Sequence, residues 1–373
     1  MRPNPALVKF LESVLYGKRR DPVAVCARFV LAALSIVYRA VVPLHLLPYQ
    51  IGLRRRRRLE SPVISVGNLT VGGTGKSPTV QYLCRGLVRR GWNPAVLSYG
   101  YGGSLHGRFG IVADTSGVRL TPETAGDEPV MLAQSLPGVS VVICKDREKS
   151  GRAAIEELGA DVMALDDGFQ VWNLERNLDI VLLNAGNPFD NGRTLPAGRL
   201  REPLSALKRA GCILAIGVWQ PEEQDAMLTK VHKVTSAPVY LGRFVPSAVV
   251  SLKKGMAMPV DGIRDKRAFA LSTIANPGAF EDSIVETGAV IFGRERLPDH
   301  HLYSARDISR INRSAMDSGA DFIVTTDKDA VKLDADQLDL PVMVLRIELK
   351  LDDEAGFWKL IAGKIGSAPE AEL

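Results

Sequence analysis

Three observations predict an α/β fold built on a largely parallel sheet. After Pro62, short β-branched runs alternate with helix-like stretches, and a glycine-rich turn joins the first run to the first helix. The same alternation resumes from Arg267 to the end of the chain. Strands separated by helices are the pattern of a sheet covered on both faces. At 373 residues the chain is long enough for two domains and an appendage. With 46% hydrophobic and 24% charged residues it has the composition of a protein that buries a real core.

The appendage comes first. From Val23 to Leu47 only Arg28, Ser35, Arg39 and His45 interrupt an apolar stretch. The arginines cut it into pieces shorter than the roughly 20 apolar residues of a clean bilayer span. At about 100° per residue, Arg28, Ser35 and Arg39 fall within about 40° of one another, a polar stripe on an apolar cylinder. Such a helix suits the membrane interface, or a tilted path with snorkelling arginines. The competing reading is a helix packed on the protein's own core. The run Arg54-Arg55-Arg56-Arg57-Arg58 alone accounts for the net charge of +5 and would lie among anionic headgroups on the cytoplasmic side. No small-residue cleavage site follows the apolar stretch, so no secretory signal is expected. Cys26, Cys84, Cys144 and Cys212 form no metal-ligand spacing and read as reduced packing residues in a cytosolic compartment.

Strands are expected at Val63–Val66, Pro94–Ser98, Val141–Cys144, Asp161–Leu165 and Ile180–Leu183, with helices at Ser77–Arg90 and Asp146–Leu158. In the second half, strands are expected at Ala268–Leu271, Ala289–Ile291, Phe322–Thr325 and Val342–Ile347. Pro238 to Pro259 is rich in Val, Pro and Gly without helical periodicity, and a hinge is placed there near residue 245. The expected organisation is a membrane-associated helical segment over 1–58, a P-loop NTPase-like parallel-sheet domain over 59–245, and a smaller α/β domain over 246–373 that closes a cleft. The last few residues are expected to fray.

The strongest chemical signal is Gly72-Gly73-Thr74-Gly75-Lys76-Ser77, between a strand and a helix. Glycines let backbone N–H groups close around a phosphate chain, the lysine reaches the β- and γ-phosphates, and a hydroxyl such as that of Ser77 can ligate Mg²⁺. Thr70 stands where the strict pattern has glycine. A P-loop calls for an acid at the end of another parallel strand to hold the Mg²⁺ shell, and Asp166-Asp167 follows its strand in that way. Gly126-Asp127-Glu128-Pro129 opens a helix and reads as an N-cap or as a functional acid. Asp299-His300-His301 reads as a solvated loop or a metal pair, and no third ligand stands at recognisable spacing. An aspartate and a histidine from opposite sides of a cleft would make a base and its partner for deprotonating a hydroxyl. Lys145, Arg147, Arg193, Arg199 and Arg201 are surface charges by default, and Arg147 and Arg201 could neutralise phosphates of ATP or of an anionic substrate.

Taken together, the chain resembles the tetraacyldisaccharide 4'-kinase family from its apolar N-terminal segment to about Leu333. The motifs that carry the likeness are Val66-Gly67-Asn68 running into Gly72–Pro78, Ser98-Tyr99-Gly100-Tyr101-Gly102, Gly126–Pro129, and Asp166-Asp167-Gly168-Phe169-Gln170. Leu195-Pro196-Ala197-Gly198, Arg201-Glu202-Pro203, Asp299-His300 and Thr325–Ala330 complete them. The resemblance implies two α/β domains over a cleft and transfer of the ATP γ-phosphate to the 4'-hydroxyl of a tetraacyldisaccharide 1-phosphate lipid A precursor. It implies Mg²⁺ as cofactor, a lipid-linked acylated glucosamine disaccharide as acceptor, and work at an anionic membrane surface, on the cytoplasmic face of the bacterial inner membrane. A monomer is expected, and no nucleic-acid partner. The family's catalytic carboxylate falls on Asp127 and its histidine partner on His300. Its P-loop lysine and hydroxyl fall on Lys76 and Ser77, and its arginines on Arg147 and Arg201. The family's arginine, histidine and aspartate are replaced by Tyr99, Val171 and Asn177, and Ser77 stands for the commoner threonine.

A second reading makes the chain a membrane-associated P-loop ATPase or GTPase switch without a small-molecule acceptor. Val71 stands where many such switches have lysine, and Thr326-Asp327-Lys328-Asp329 approaches the guanine-specific Asn-Lys-x-Asp motif but lacks the asparagine.

Overall fold

The computed structural model describes residues 13–15, 19, 21–217 and 220–368. Residues 1–12 of the N-terminal segment and 369–373, where fraying is expected, lie outside that set. Strand β1 (Val63–Asn68) sits in the middle of the first half because every one of its residues is buried, as a strand covered on both faces requires. It pairs in parallel with β7 (Leu178–Asn184) on one side, and β8 (Cys212–Ile216) follows β7. On its other side come β6 (Val162–Asp166), β2 (Pro94–Ser98) and β5 (Ser140–Ile143), again parallel. A small antiparallel edge, β3 (Gly110–Asp114) with β4 (Gly117–Val118), closes that end.

The second half is joined through hydrogen-bonded strands. Beyond β8 lies β9 (Val239–Ser251), parallel to it, and β9 pairs antiparallel with β14 (Val342–Leu351). Then come β13 (Phe322–Thr326), β11 (Arg267–Ser272) and β12 (Val290–Arg296), all parallel, while β10 (Ala257–Met258) pairs with β9 off this path. Among the described residues one 14-stranded sheet therefore runs through both halves. The Val-, Pro- and Gly-rich stretch of the expected hinge is mostly the 13-residue strand β9. Pro246 is tolerated there because the ladder shifts register between Arg346 and Ile347, where Pro246 faces Ile347.

Helices cover both faces. They are α1 (Pro22–Gln50), α2 (Lys76–Val88), α3 (Pro122–Ala125), α4 (Asp127–Ser135), α5 (Arg147–Glu156), α6 (Pro221–His232), α7 (Pro277–Glu286), α8 (Ala305–Asp317), α9 (Asp327–Ala330) and α10 (Glu354–Ile365). The last helix returns to the first half. Phe357, Trp358 and Ile361 of α10 are buried in one cluster with Leu83 and Leu87 of α2. Gly86 leaves room for the Trp358 ring, whose indole N–H donates to the Tyr82 hydroxyl at 3.0 Å. The second half has separate small cores, one around Phe280, Ile284 and Phe322, the other around Ile308, Ile311 and Ile323.

Helix α1 touches the rest of the protein along a narrow strip. The Ser35 hydroxyl donates to the Thr194 carbonyl at 2.8 Å, and the Tyr38 hydroxyl to the Arg201 carbonyl at 2.9 Å. The polar stripe thus faces the protein at Ser35, while Phe29 (74% exposed) and Ile36 (71%) stand in the open. Of the described helices, α1 is long and apolar enough to cross a membrane by length and composition. Arg57 leaves the basic run: its side chain pairs with Glu148 and its backbone with Asn173 and Glu175. Arg54, Arg55, Arg56 and Arg58 are exposed.

Candidate functional site

Parallel strands place their carboxyl ends on one side, and loops there gather side chains from several strands. At the end of β1, the loop from Leu69 to Gly75 turns into α2, with Gly75 in the left-handed region at φ 85° as helix cap. Asn68 braces the loop: its amide donates to the Thr74 hydroxyl at 2.8 Å, and Gln170 reaches back to the Asn68 carbonyl at 3.2 Å. The loop also pairs with the segment around Arg199, through Val71 N–H to the Arg199 carbonyl and Arg201 N–H to the Leu69 carbonyl, both at 2.8 Å. The Arg199 guanidinium lies against Gly72, and a side chain at that position would collide with it.

The two aspartates at the end of β6 divide. Asp167 adopts φ 56°, rare for a residue with a side chain, and turns toward the basic groups. Its carboxylate accepts from Arg201 at 2.9 Å and lies 3.7 Å from Lys76 Nζ. Asp166 is buried, takes a hydrogen bond from Ser98 at 3.1 Å on one oxygen and leaves Oδ1 without a partner. Burial, with the nearby charges of Glu128 and Asp167, pushes its carboxyl up to about 7. The buried Arg147 also has its Nε without a partner, and its guanidinium lies 5.7 Å from the centre of the Tyr99 ring. Ser77 sits in the first turn of α2. Among the described residues no three acidic or histidine side chains converge to hold a cation alone. The Ser77 hydroxyl and two carboxylates, one of them with the unpaired Asp166 Oδ1, do suit Mg²⁺, which keeps several waters and takes its remaining ligands from phosphates.

The second half supplies the far wall. Gly73 lies under Ala275, where an added Cβ would stand 3.3 Å from the alanine methyl, and Phe244 of β9 packs on Gly75. His300, at φ 58°, reaches across the cleft so that Nδ1 lies 3.0 Å from both oxygens of Asp127 in the first turn of α4. Lys332 Nζ stands 3.7 Å from the same carboxylate and 3.1 Å from the buried Asp329. Burial works against ionisation of Asp127, but the His300 hydrogen bond and the lysine charges outweigh it and hold the carboxyl below the ordinary range. For His300, burial works against the charged form, and the bond to Asp127 outweighs it and raises the ring. His301 does something else: it bonds Asp307 at 3.0 Å inside its own half.

The structure therefore brings Lys76, Asp167 and Arg201 together, and separately Asp127 and His300. Sequence reasoning passed over Lys328, whose ammonium contacts Glu128 at 3.0 Å, Asp299 at 2.9 Å and His300 Nε2 at 3.2 Å. Its signal was an Asp-Lys-Asp triplet directly after a parallel strand. Of the departures from the family pattern, Asn177 keeps an acceptor, taking the Val63 N–H at 2.9 Å at the start of β1.

A family profile described as Tetraacyldisaccharide-1-P 4'-kinase matches residues 27–366. The chain belongs to this family. The chain is 39% identical over 354 residues to a tetraacyldisaccharide 4'-kinase of Pelobacter propionicus, covering 94% of this chain and 96% of that one. A tetraacyldisaccharide 4'-kinase of Geobacter sulfurreducens is 42% identical over 327 residues, covering 87% and 90%. In structure it is similar to the "apo" form of LpxK from Aquifex aeolicus in complex with ATP, with TM-score 0.73, 30% identity, and 91% and 99% of the two chains covered. The activity that follows from membership of the tetraacyldisaccharide 4'-kinase family is phosphoryl transfer to the 4'-hydroxyl of a lipid A disaccharide precursor. The switch without an acceptor is set aside.

Proposed function

We propose that ATP lies along the P-loop with Lys76 and Arg201 on its phosphates, and that Asp127 takes the proton of the acceptor 4'-hydroxyl as the γ-phosphoryl moves to it. The observation that carries this reading is His300 Nδ1 at 3.0 Å from both oxygens of a buried Asp127. A sugar hydroxyl is a weak nucleophile, and a carboxylate oriented by an imidazole can accept its proton as the new P–O bond forms and ADP leaves. Asp167 pairs with both Lys76 and Arg201, and a phosphate would compete with it for both cations. Ser77, Asp166 and Asp167 would hold Mg²⁺, which when bound neutralises charge on the transferring phosphates. Gly72, Gly73, Thr74 and Gly75 present backbone N–H groups, and Arg147 adds charge beside Asp166.

The open apolar face of α1 and the exposed Arg54, Arg55, Arg56 and Arg58 support seating on the cytoplasmic face of the bacterial inner membrane, where the lipid-linked acceptor resides and where the chain would work as a monomer. Residues 59–245 and 246–373 would move against each other by bending near β9, with 1–58 as the membrane segment. The deciding test is transfer of labelled γ-phosphate from ATP to purified disaccharide-1-phosphate precursor in detergent. Transfer that survives Asp127→Asn at full rate would remove Asp127 from the chemistry.

A further inference from the structure

Helix α1 meets the first half through two hydroxyls, and a membrane anchor alone has no need of them. A helix held by lipid buries apolar side chains and leaves its polar groups to water or headgroups. Ser35 does the opposite. It is only 8% exposed, and its hydroxyl donates to the Thr194 carbonyl at 2.8 Å and lies 2.9 Å from the Thr194 hydroxyl. Three residues on, along the same face of the helix, the Tyr38 hydroxyl donates to the Arg201 carbonyl at 2.9 Å. The two contacts grip opposite ends of one segment, residues 194–201.

That segment is tied to itself. The Thr194 carbonyl also accepts the N–H groups of Ala197 and Gly198, both at 3.1 Å, and Leu195 N–H donates to the Leu200 carbonyl at 2.9 Å. The Asn191 amide holds the Ala197 carbonyl at 2.9 Å. A loop closed in this way shifts as a body. Its other face is the wall of the P-loop: Leu200 bridges to Thr70, and the Arg199 guanidinium lies against Gly72. Its last residue, Arg201, turns its guanidinium onto Asp167 and Gln170. A displacement of the segment would therefore carry the phosphate-facing arginine and the glycine loop with it.

We infer that Tyr38, with Ser35 behind it, is a positioning residue of the ATP site: α1 braces the 194–201 segment in the place from which Arg201 and the P-loop receive the phosphates. The inference rests on Arg201 lying on the phosphates of ATP, as proposed above. Helix α1 then has two separable tasks on two faces. Its outer residues, such as Phe29 and Ile36, stand open for lipid, while its inner hydroxyls serve the nucleotide. A helix that served only lipid or acceptor would leave ATP binding untouched when neither is present.

Calorimetric titration of the full chain in detergent, with Mg²⁺ and a non-hydrolysable ATP analogue but no acceptor, separates these cases. Tyr38→Phe keeps the ring and removes one hydroxyl. It should weaken analogue binding about twofold to tenfold, the range of one hydrogen bond, and adding Ser35→Ala should weaken it further. In turnover, KM for ATP should rise by the same factor, with KM for the acceptor and partition to membranes unchanged. In an Arg201→Ala background, Tyr38→Phe should add little, because its effect passes through that residue. Should Tyr38→Phe fail to fold, Ser35→Ala alone reads the other end of the segment in the same titration. Unchanged analogue binding in the folded variants, where Arg201→Ala does weaken it, overturns the inference. A raised KM for the acceptor alone, or losses that multiply with Arg201→Ala, overturns it as well. Unchanged binding in Arg201→Ala takes Arg201 off the phosphates and the inference with it, and leaves the role of Asp127 standing.

Discussion

Replacing Asp127 by Asn and His300 by Ala, singly and together, asks whether the two side chains work as a unit. An amide at 127 keeps the planar shape beside His300 Nδ1 but loses the negative charge and with it the ability to take a proton. A positioned general base contributes roughly 10²–10⁴-fold, or about 3–5 kcal/mol of barrier. Asp127→Asn should forfeit that much, with little change in ATP affinity, since no P-loop contact is touched. His300→Ala is milder. Lys332 Nζ still stands 3.7 Å from the carboxylate and Lys328 remains nearby, so Asp127 stays ionised but loses its orientation, at a cost of about tenfold to a hundredfold. If the pair acts together, the double variant is little slower than Asp127→Asn alone, because residues that share one task have strongly non-additive effects. The assay is single-turnover transfer of labelled phosphate at two Mg²⁺ concentrations. Losses that multiply, with added Mg²⁺ rescuing Asp127→Asn, would mean that the carboxylate serves the cation or the helix end, and would refute the pairing.

Lys76→Ala removes the ammonium of the P-loop and should lower turnover roughly a hundredfold or more in a protein that melts normally; unchanged turnover in that folded variant would remove the loop from the reaction. Changing Phe29, Val30, Ile36 and Val37 to serine withdraws about 1.5–3 kcal/mol of apolar transfer apiece from the open face of α1, and should shift the protein from the membrane pellet to the supernatant. Because Ser35 and Tyr38 are left in place, detergent activity should persist; a protein that stays in the pellet has its anchor elsewhere. Asp166, pushed up to about 7, is roughly half protonated at neutral pH and must ionise to face a cation. Affinity for Mg²⁺-ATP should therefore rise as pH climbs through 7 and then level off, with proton uptake by buffer in calorimetry, and Asp166→Asn should flatten the profile.

Much of the first half was legible because its strands are apolar on both faces and stand apart between helices. Val63–Asn68 and Val162–Asp166 declare themselves by β-branched and apolar runs ending in functional turns. Strand β9 did not, since Gly242 and Pro246 interrupt it and most of its side chains are only half buried, leaving no clean alternation to read. The pairing that stabilises it comes from Val342–Leu351, about a hundred residues away in sequence. Strand β8 was passed over too, a five-residue apolar run between Gly211 and Gly217 that is too short to declare its period. At the site, Asp127 and His300 could be named because each stands in a compact motif, but their contact spans 173 residues of chain. Lys328 also stands in a motif, Thr325–Ala330, but nothing in the motif singles it out. A lysine after a strand is a surface charge in most proteins, and only the folded chain surrounds it with Glu128, Asp299 and His300.

The seam between β9 and β14, paired from Ser251 with Met343 to Gly242 with Leu351, bears on how the molecule can yield. A tether would let each half rotate freely and melt on its own. A ladder resists by bending, so an opening of the two halves would have to be elastic. Helix α10, crossing back to pack Trp358 on α2, adds a second restraint against twisting. Heat should consequently take both halves apart in one cooperative step. Severed from each other, each half would present a raw strand edge several residues long, the kind of surface on which chains stick to their own copies.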